Sequence, residues 1–132
     1  MRRLAARLAA VLALLLLIAA CASSPPASQK FVVFFEEWSA SLDEAGRKGV
    51  NTAARWAKEH PGQIVTVAGY ADPEGSKQAN IAMSRARAQV VVDQLVRDGV
   101  DRSRIRLTAH GPTDYTLTSL ESRRVEIGIA GL

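Results

Sequence analysis

Asp72 and Arg87 are the side chains best placed for chemistry in this chain, because the residues between them dictate where both must sit. The stretch from Gly69 to Val91 reads GYADPEGSKQANIAMSRARAQVV. It reads as the end of a β-strand, a turn on Pro73 and Gly75, and a helix carrying Asn80, Ser84 and Arg87. At about 100° per residue these three fall within roughly 60° of one another around the helix axis, a single polar stripe. Helical side chains lean toward the N-terminus, so the Arg87 guanidinium should point at the turn that holds Asp72. An acid and a base then converge at one mouth. The plain alternative is a surface salt bridge tying turn to helix, worth under about 1 kcal/mol.

Catalysis would ask for a nucleophile or a working pair of carboxylates. Asp72 and Glu74 stand on a turn, His110 ends a strand near Asp114, and no serine or thiol has a fitting partner arrangement. His60 falls at a helix C-terminus and reads as a cap rather than a ligand. The two histidines are isolated and there is one cysteine, which makes no plausible zinc site. The residues therefore point to a binding protein rather than an enzyme, with no cofactor.

The elements that position the pair follow from periodicity. Phe31 to Phe35 is an unbroken apolar run, too short for a helix, and reads as a central strand. Ser41-Leu42-Asp43-Glu44 has the form of a capping box. The helix it opens continues through Val50, Ala53, Ala54, Trp56 and Ala57 and stops at His60-Pro61-Gly62. Ile64 to Tyr70 is a second strand, and the next helix runs from about Ser76 to Arg97, with Met83, Ala88, Val91 and Leu95 inward and Gly99 as a left-handed stop. Ile105, Leu107 and Ala109 alternate with Arg104, Arg106 and Thr108, and Val125, Ile127 and Ile129 alternate likewise. Strands linked by helices imply an α/β fold, a two-layer sandwich with parallel crossovers and helices on one face.

The chain has 132 residues, enough for one domain with one core. Its first twenty are read as a signal peptide: Arg2, Arg3 and Arg7 precede a short apolar run from Leu8 to Ala20. That run closes on Ile18-Ala19-Ala20-Cys21, which resembles a bacterial lipobox whose Cys21 thiol takes up a diacylglyceryl group. Cys21 is the single cysteine, so no intramolecular disulfide can form. Ala22 to Lys30 is a linker by composition, small and polar and stiffened by Pro25-Pro26. Three of the 17 basic residues leave with the leader, so 14 face 13 acidic ones in the mature chain. A net charge near +1 is a weak footprint for nucleic acid, and none is expected as a partner.

The spacing of Gly69, Asp72, Gly75, Ser76, Asn80, Ser84, Arg87, Ala88, Val91 and Leu95 resembles the peptidoglycan-binding signature of the OmpA-like domain family. Gly99-Val100, Arg104-Ile105, Gly111 and Arg123-Arg124-Val125-Glu126 continue the likeness, which covers roughly Phe31 to Ile129. The family includes the peptidoglycan-associated, Pal-like lipoproteins of Gram-negative bacteria. The resemblance implies a β-α-β-α-β-β domain over 31–132 with a four-stranded mixed sheet. It also implies a ligand, the diaminopimelate of the peptidoglycan stem peptide, whose free end carries an ammonium and a carboxylate on one carbon. Asp72 would accept the ammonium, and Arg87 would take the carboxylate in two parallel hydrogen bonds. Backbone N–H groups near Gly75 and Ser76 would add donors. Asn80 either holds the turn or touches the ligand. Arg123 and Arg124 must face opposite sides of their strand, and Arg124 is assigned to the site. This chain departs from the family in having Ala71 where a threonine is usual, Ser122 where an asparagine is usual, and a short segment from Gly111 to Glu121.

The resemblance thus implies an outer-membrane lipoprotein, with palmitate-type acyl chains at Cys21 and a periplasmic domain that tethers the membrane to the wall. Asp72→Ala or Arg87→Ala should then leave a folded domain that no longer binds wall. A second reading makes the domain a protein-interaction module of an envelope complex (Tol–Pal, secretion or motility), with weak or no wall contact.

Overall fold

The computed structural model describes residues 27–112 and 119–131. The stretch read as a signal peptide, Cys21, most of the stretch read as a linker, and Asp114 lie outside the described residues. Strand β1 (Gln29–Phe34) is followed by helix α1 (Glu44–Glu59), β2 (Ile64–Ala71), α2 (Lys77–Arg97), a single 3₁₀ turn (Arg102–Arg104), β3 (Ile105–Pro112), a short α3 (Ser119–Ser122) and β4 (Arg124–Ala130). The four strands form one mixed sheet in the order β1-β4-β2-β3, with β2 and β3 parallel and the other two pairings antiparallel.

Alternation decides which side of the sheet is buried. In β2 and β4 the inward residues are Val65, Val67, Val125, Ile127 and Ile129, all fully buried. In register, Val65 faces Ile129 and Val67 faces Ile127. Val50, Ala53, Ala54 and Ala57 of α1, with Ala88, Val91, Val92 and Leu95 of α2, close the core from that side. The alanines keep α1 close to the sheet. Burying these aliphatic side chains at about 25 cal/mol per Å² of apolar surface is the main force holding the two layers together.

Four sequence readings are corrected here. β1 is an edge strand, paired only with β4 among the described residues. Its apolar run does not mean burial on both faces, since Val33 is buried while Val32 and Phe34 are 43% and 46% exposed. The linker ends earlier than composition suggested, because Gln29 and Lys30 pair with Ile129 and Gly128. The N-cap of α1 is Asp43, not Ser41: its carboxylate accepts from the Gly46 amide at 2.6 Å. An aspartate directly before the first helical residue caps as well as a serine and needs no glutamate partner. Arg104, expected on the open side of β3, instead lies in the 3₁₀ turn. It donates to the carbonyls of Gln63, Ala57 and His60, closing the C-terminus of α1. The stop after α2 forms as expected: Gly99 has φ +96, Gly99 N–H donates to Val96 and Val100 N–H to Leu95, a Schellman cap.

Candidate functional site

The site begins with Gly69, where β2 and α2 come closest. A Cβ at this position would lie 2.1 Å from the Ser84 carbonyl oxygen, so only glycine lets the helix backbone rest on the strand. β2 then ends at Ala71 and the chain turns through Asp72 to Ser76. Gly75 takes the left-handed conformation (φ +90) that the turn requires. Ser76 is the N-cap of α2, its hydroxyl accepting from the Ala79 amide at 3.1 Å.

The polar stripe on α2 is present, but it faces inward. Asn80, Ser84 and Arg87 are 6%, 0% and 2% exposed. Each ties a different segment to the helix. Asn80 Nδ2 donates to the Glu74 carbonyl at 2.7 Å, so it holds the turn. Ser84 Oγ donates to Ile81 O and accepts from the Gly111 amide at 3.0 Å, fastening the end of β3. Arg87 reaches across to the loop after β1, where Nε donates to Ser39 O at 2.8 Å and Nη2 to Glu36 O at 3.1 Å. Its guanidinium carbon lies 5.5 Å from the centre of the Phe35 ring. Burying a polar stripe of this kind is tolerable only because its groups find partners.

These ties leave a narrow cleft at one end of the sheet. Asp72, Asn80 and Arg87 line it together with Ala71, Glu74 and Met83, and the loop after β1 adds Glu37 and Trp38. Its free volume is about 30 Å³, room for a group about the size of one or two water molecules. Asp72 and Arg87 therefore do meet at one mouth. Burial pulls the Arg87 guanidinium below its ordinary pKa, the Asp72 charge works the other way, and Arg123 adds to the lowering. An arginine starts so high that it stays cationic throughout. The edge formed by Nε and Nη2 is turned toward the Ser39 and Glu36 carbonyls. Any carboxylate in the cleft must therefore be met from the Nη1 side, end-on, and not by the edge that protein carbonyls already occupy.

Not every expected residue faces the cleft. Gly75 and Ser76 shape the turn but do not line the cleft. Arg124 is the clear correction. Alternation with the buried Val125 sends it to the face of the sheet away from the helices. There its guanidinium lies 4.1 Å from the centre of the Tyr70 ring and binds Glu126 at 2.9 Å. Arg123 takes the site side instead, with Nη1 3.4 Å from Asp72 Oδ2 and Nε donating to Phe35 O. Sequence reasoning missed the loop after β1 altogether. Glu37 and Trp38 show no periodicity, and their one visible signal is an acid and an indole directly following a strand.

The OmpA family's model matches residues 34–124 of this chain. Probable lipoprotein YiaD of Escherichia coli is 36% identical over 106 residues, covering 76% of this chain and 48% of that protein. The peptidoglycan-associated lipoprotein of Legionella pneumophila is 37% identical over 83 residues, covering 58% and 47%. The chain thus spans about half the length of the curated relatives it matches. The crystal structure of the peptidoglycan-associated lipoprotein from Burkholderia pseudomallei superposes with a TM-score of 0.68 at 22% identity, over 75% of this chain and 89% of that one. The last likeness bears on the fold, the mixed four-stranded sheet with its helices. With a family match over most of its length and that fold, the chain belongs to the OmpA family.

Proposed function

We propose that this domain binds peptidoglycan without a covalent bond, by seating the diaminopimelate zwitterion of the stem peptide in the cleft between Asp72 and Arg87. The observation that carries the reading is that cleft: a carboxylate, Asp72, and a buried guanidinium, Arg87, line one narrow opening together with Asn80 and Glu74. Opposite charges held in a partly dry site attract their counterparts more strongly than they would in water. The names of relatives with 36% and 37% identity agree with an envelope lipoprotein and with wall association.

Chain direction supports a tether. β1 enters at Gln29 and carries the chain through Phe34 to the loop at the cleft, and β4 returns from Arg124 to Ala130. Strands of this length span about 20 Å, so the cleft opens at the pole opposite the chain's entry. With Cys21 lipidated in the outer membrane, the seven residues from Ala22 to Ser28 reach at most about 25 Å. The cleft then faces away from the bilayer, toward wall that lies close by.

Titration of the detergent-solubilised lipoprotein with a diaminopimelate-containing stem peptide and its lysine counterpart tests the reading. The lysine peptide lacks the terminal carboxylate, so weaker binding of it is expected, with cosedimentation on isolated wall abolished by Asp72→Asn. Equal affinity for the two peptides would remove Arg87 from recognition.

A further inference from the structure

Trp38 is the most exposed large apolar side chain among the described residues, at 73%. It is also the one described non-glycine residue with positive φ, at +56. The left-handed region costs an ordinary residue free energy and persists where the surroundings enforce it. Here the enforcement is visible. Arg87 takes the carbonyls of Glu36 and Ser39, on either side of Trp38, and Arg123 takes that of Phe35. Ser39 N–H closes the turn by donating to Glu36 O at 3.2 Å. Two guanidiniums therefore hold a strained turn whose product is an indole standing at the cleft, beside Asp72 and Arg87. The fold gains little from it, since most of its surface stays in water and it stacks on no described ring.

The geometry points to Trp38 as a specificity-determining contact of the cleft: its indole packs on the hydrocarbon arm of the ligand whose charged end lies between Asp72 and Arg87. This rests on the zwitterion reading above. The cleft is narrow and Trp38 stands at it, so the methylene chain behind the charged end leaves along the rim. A flat, rigid aromatic face at that rim covers methylenes at little entropic cost. Binding then favours a side chain long enough to reach Asp72 and Arg87 while its aliphatic part lies on the indole. The same contact explains why a strained backbone is kept at an exposed position.

The test uses the detergent-solubilised lipoprotein and a diaminopimelate-containing stem peptide, with calorimetry and tryptophan emission read together. Trp56 is packed against the core and stacked on His60 at 3.7 Å, so it serves as a silent internal reference. Wild-type emission should shift to the blue and lose iodide quenching as the peptide is added. Trp38→Gly is the informative variant, because glycine accepts φ +56 without strain. It should melt at or above the wild-type temperature yet bind roughly tenfold more weakly, and Trp38→Phe should fall between the two. If wild type binds while Trp38→Gly keeps its affinity, or if Trp38→Gly loses thermal stability, the assignment is overturned. Absence of any peptide binding by wild type would instead overturn the zwitterion reading itself.

Discussion

Replacing Arg87 tests whether one side chain both builds the cleft and charges it. In the folded chain it is 2% exposed, donates to Ser39 O at 2.8 Å and Glu36 O at 3.1 Å, and lies 5.5 Å from the Phe35 ring centre. A hydrogen bond from a charged donor contributes about 1.5–3 kcal/mol, and a partly desolvated cation–π contact about 1 kcal/mol. Desolvation, visible as the lowered Arg87 pKa, offsets part of this. Arg87→Lys keeps a charge but offers a point donor where two carbonyls face a fork, and should cost about 2 kcal/mol. Arg87→Ala leaves both carbonyls and Asp72 without it and opens a cavity, for about 3–5 kcal/mol. With a urea slope of about 1.5 kcal/mol per M for a domain of this size, the midpoint falls by roughly 1–1.5 M for lysine and 2–3 M for alanine. Urea unfolding followed by circular dichroism reads these shifts. An alanine variant with an unchanged midpoint would refute the claim that Arg87 holds the loop. The expectation from sequence, that Arg87→Ala is a clean binding variant, does not survive this burial, because loss of binding would be mixed with loss of the loop.

Asp72→Asn is the smaller change: it keeps the shape, removes the charge and should weaken wall binding about thirtyfold or more; because Asp72 and Arg123 are only 21% and 13% exposed, it should also cost roughly 1–3 kcal/mol, read by cosedimentation and a thermal melt. Gly69→Ala places a Cβ 2.1 Å from Ser84 O, so α2 must retreat by about 1 Å; a loss of roughly 1–3 kcal/mol or more in a urea titration is expected, and an unchanged midpoint would mean that α2 does not rest on β2 here. Burial opposes ionisation of Glu126, but hydrogen bonds and charge from Lys30 and Arg124 outweigh it and hold its pKa below the ordinary value. A carboxylate depressed in this way contributes stability above its unfolded pKa and loses it as pH falls through the folded value. Glu126→Gln should therefore be less stable than wild type at pH 7, by under about 1 kcal/mol. The gap should close below about pH 4 in paired melts, and a constant gap across that range would exclude the linkage.

The cleft works because positions distant in the chain share buried groups. Asp72 pairs with Arg123, 51 residues away, and Arg87 holds a loop 48 residues upstream through Ser39. On the proposed reading, a ligand that draws on Arg87 would act on the turn that carries Trp38, and binding and the order of that turn would be linked in both directions.

Local rules were enough for much of this protein. Alternation identified β3 and β4, and apolar spacing with Gly99 set the extent of α2. The leaning of helical side chains brought Arg87 to the Asp72 turn. Each of these depends on neighbours within a few residues, which is where sequence patterns hold their information. The rest was decided by tertiary contact. That β1 lies at an edge depends on its partner strand, and that Asp43 caps α1 depends on where the chain arrives from β1. The stripe of Asn80, Ser84 and Arg87 reads the same whether it faces water or protein, and only the loops packed over it make it internal. Between Arg123 and Arg124, period two requires opposite faces without saying which faces the helices. That choice was made by the register of β4 against β2, which sends Val125 inward beside Gly69. Trp38 had no legible role at all, because its position comes from two arginines that sequence distance conceals.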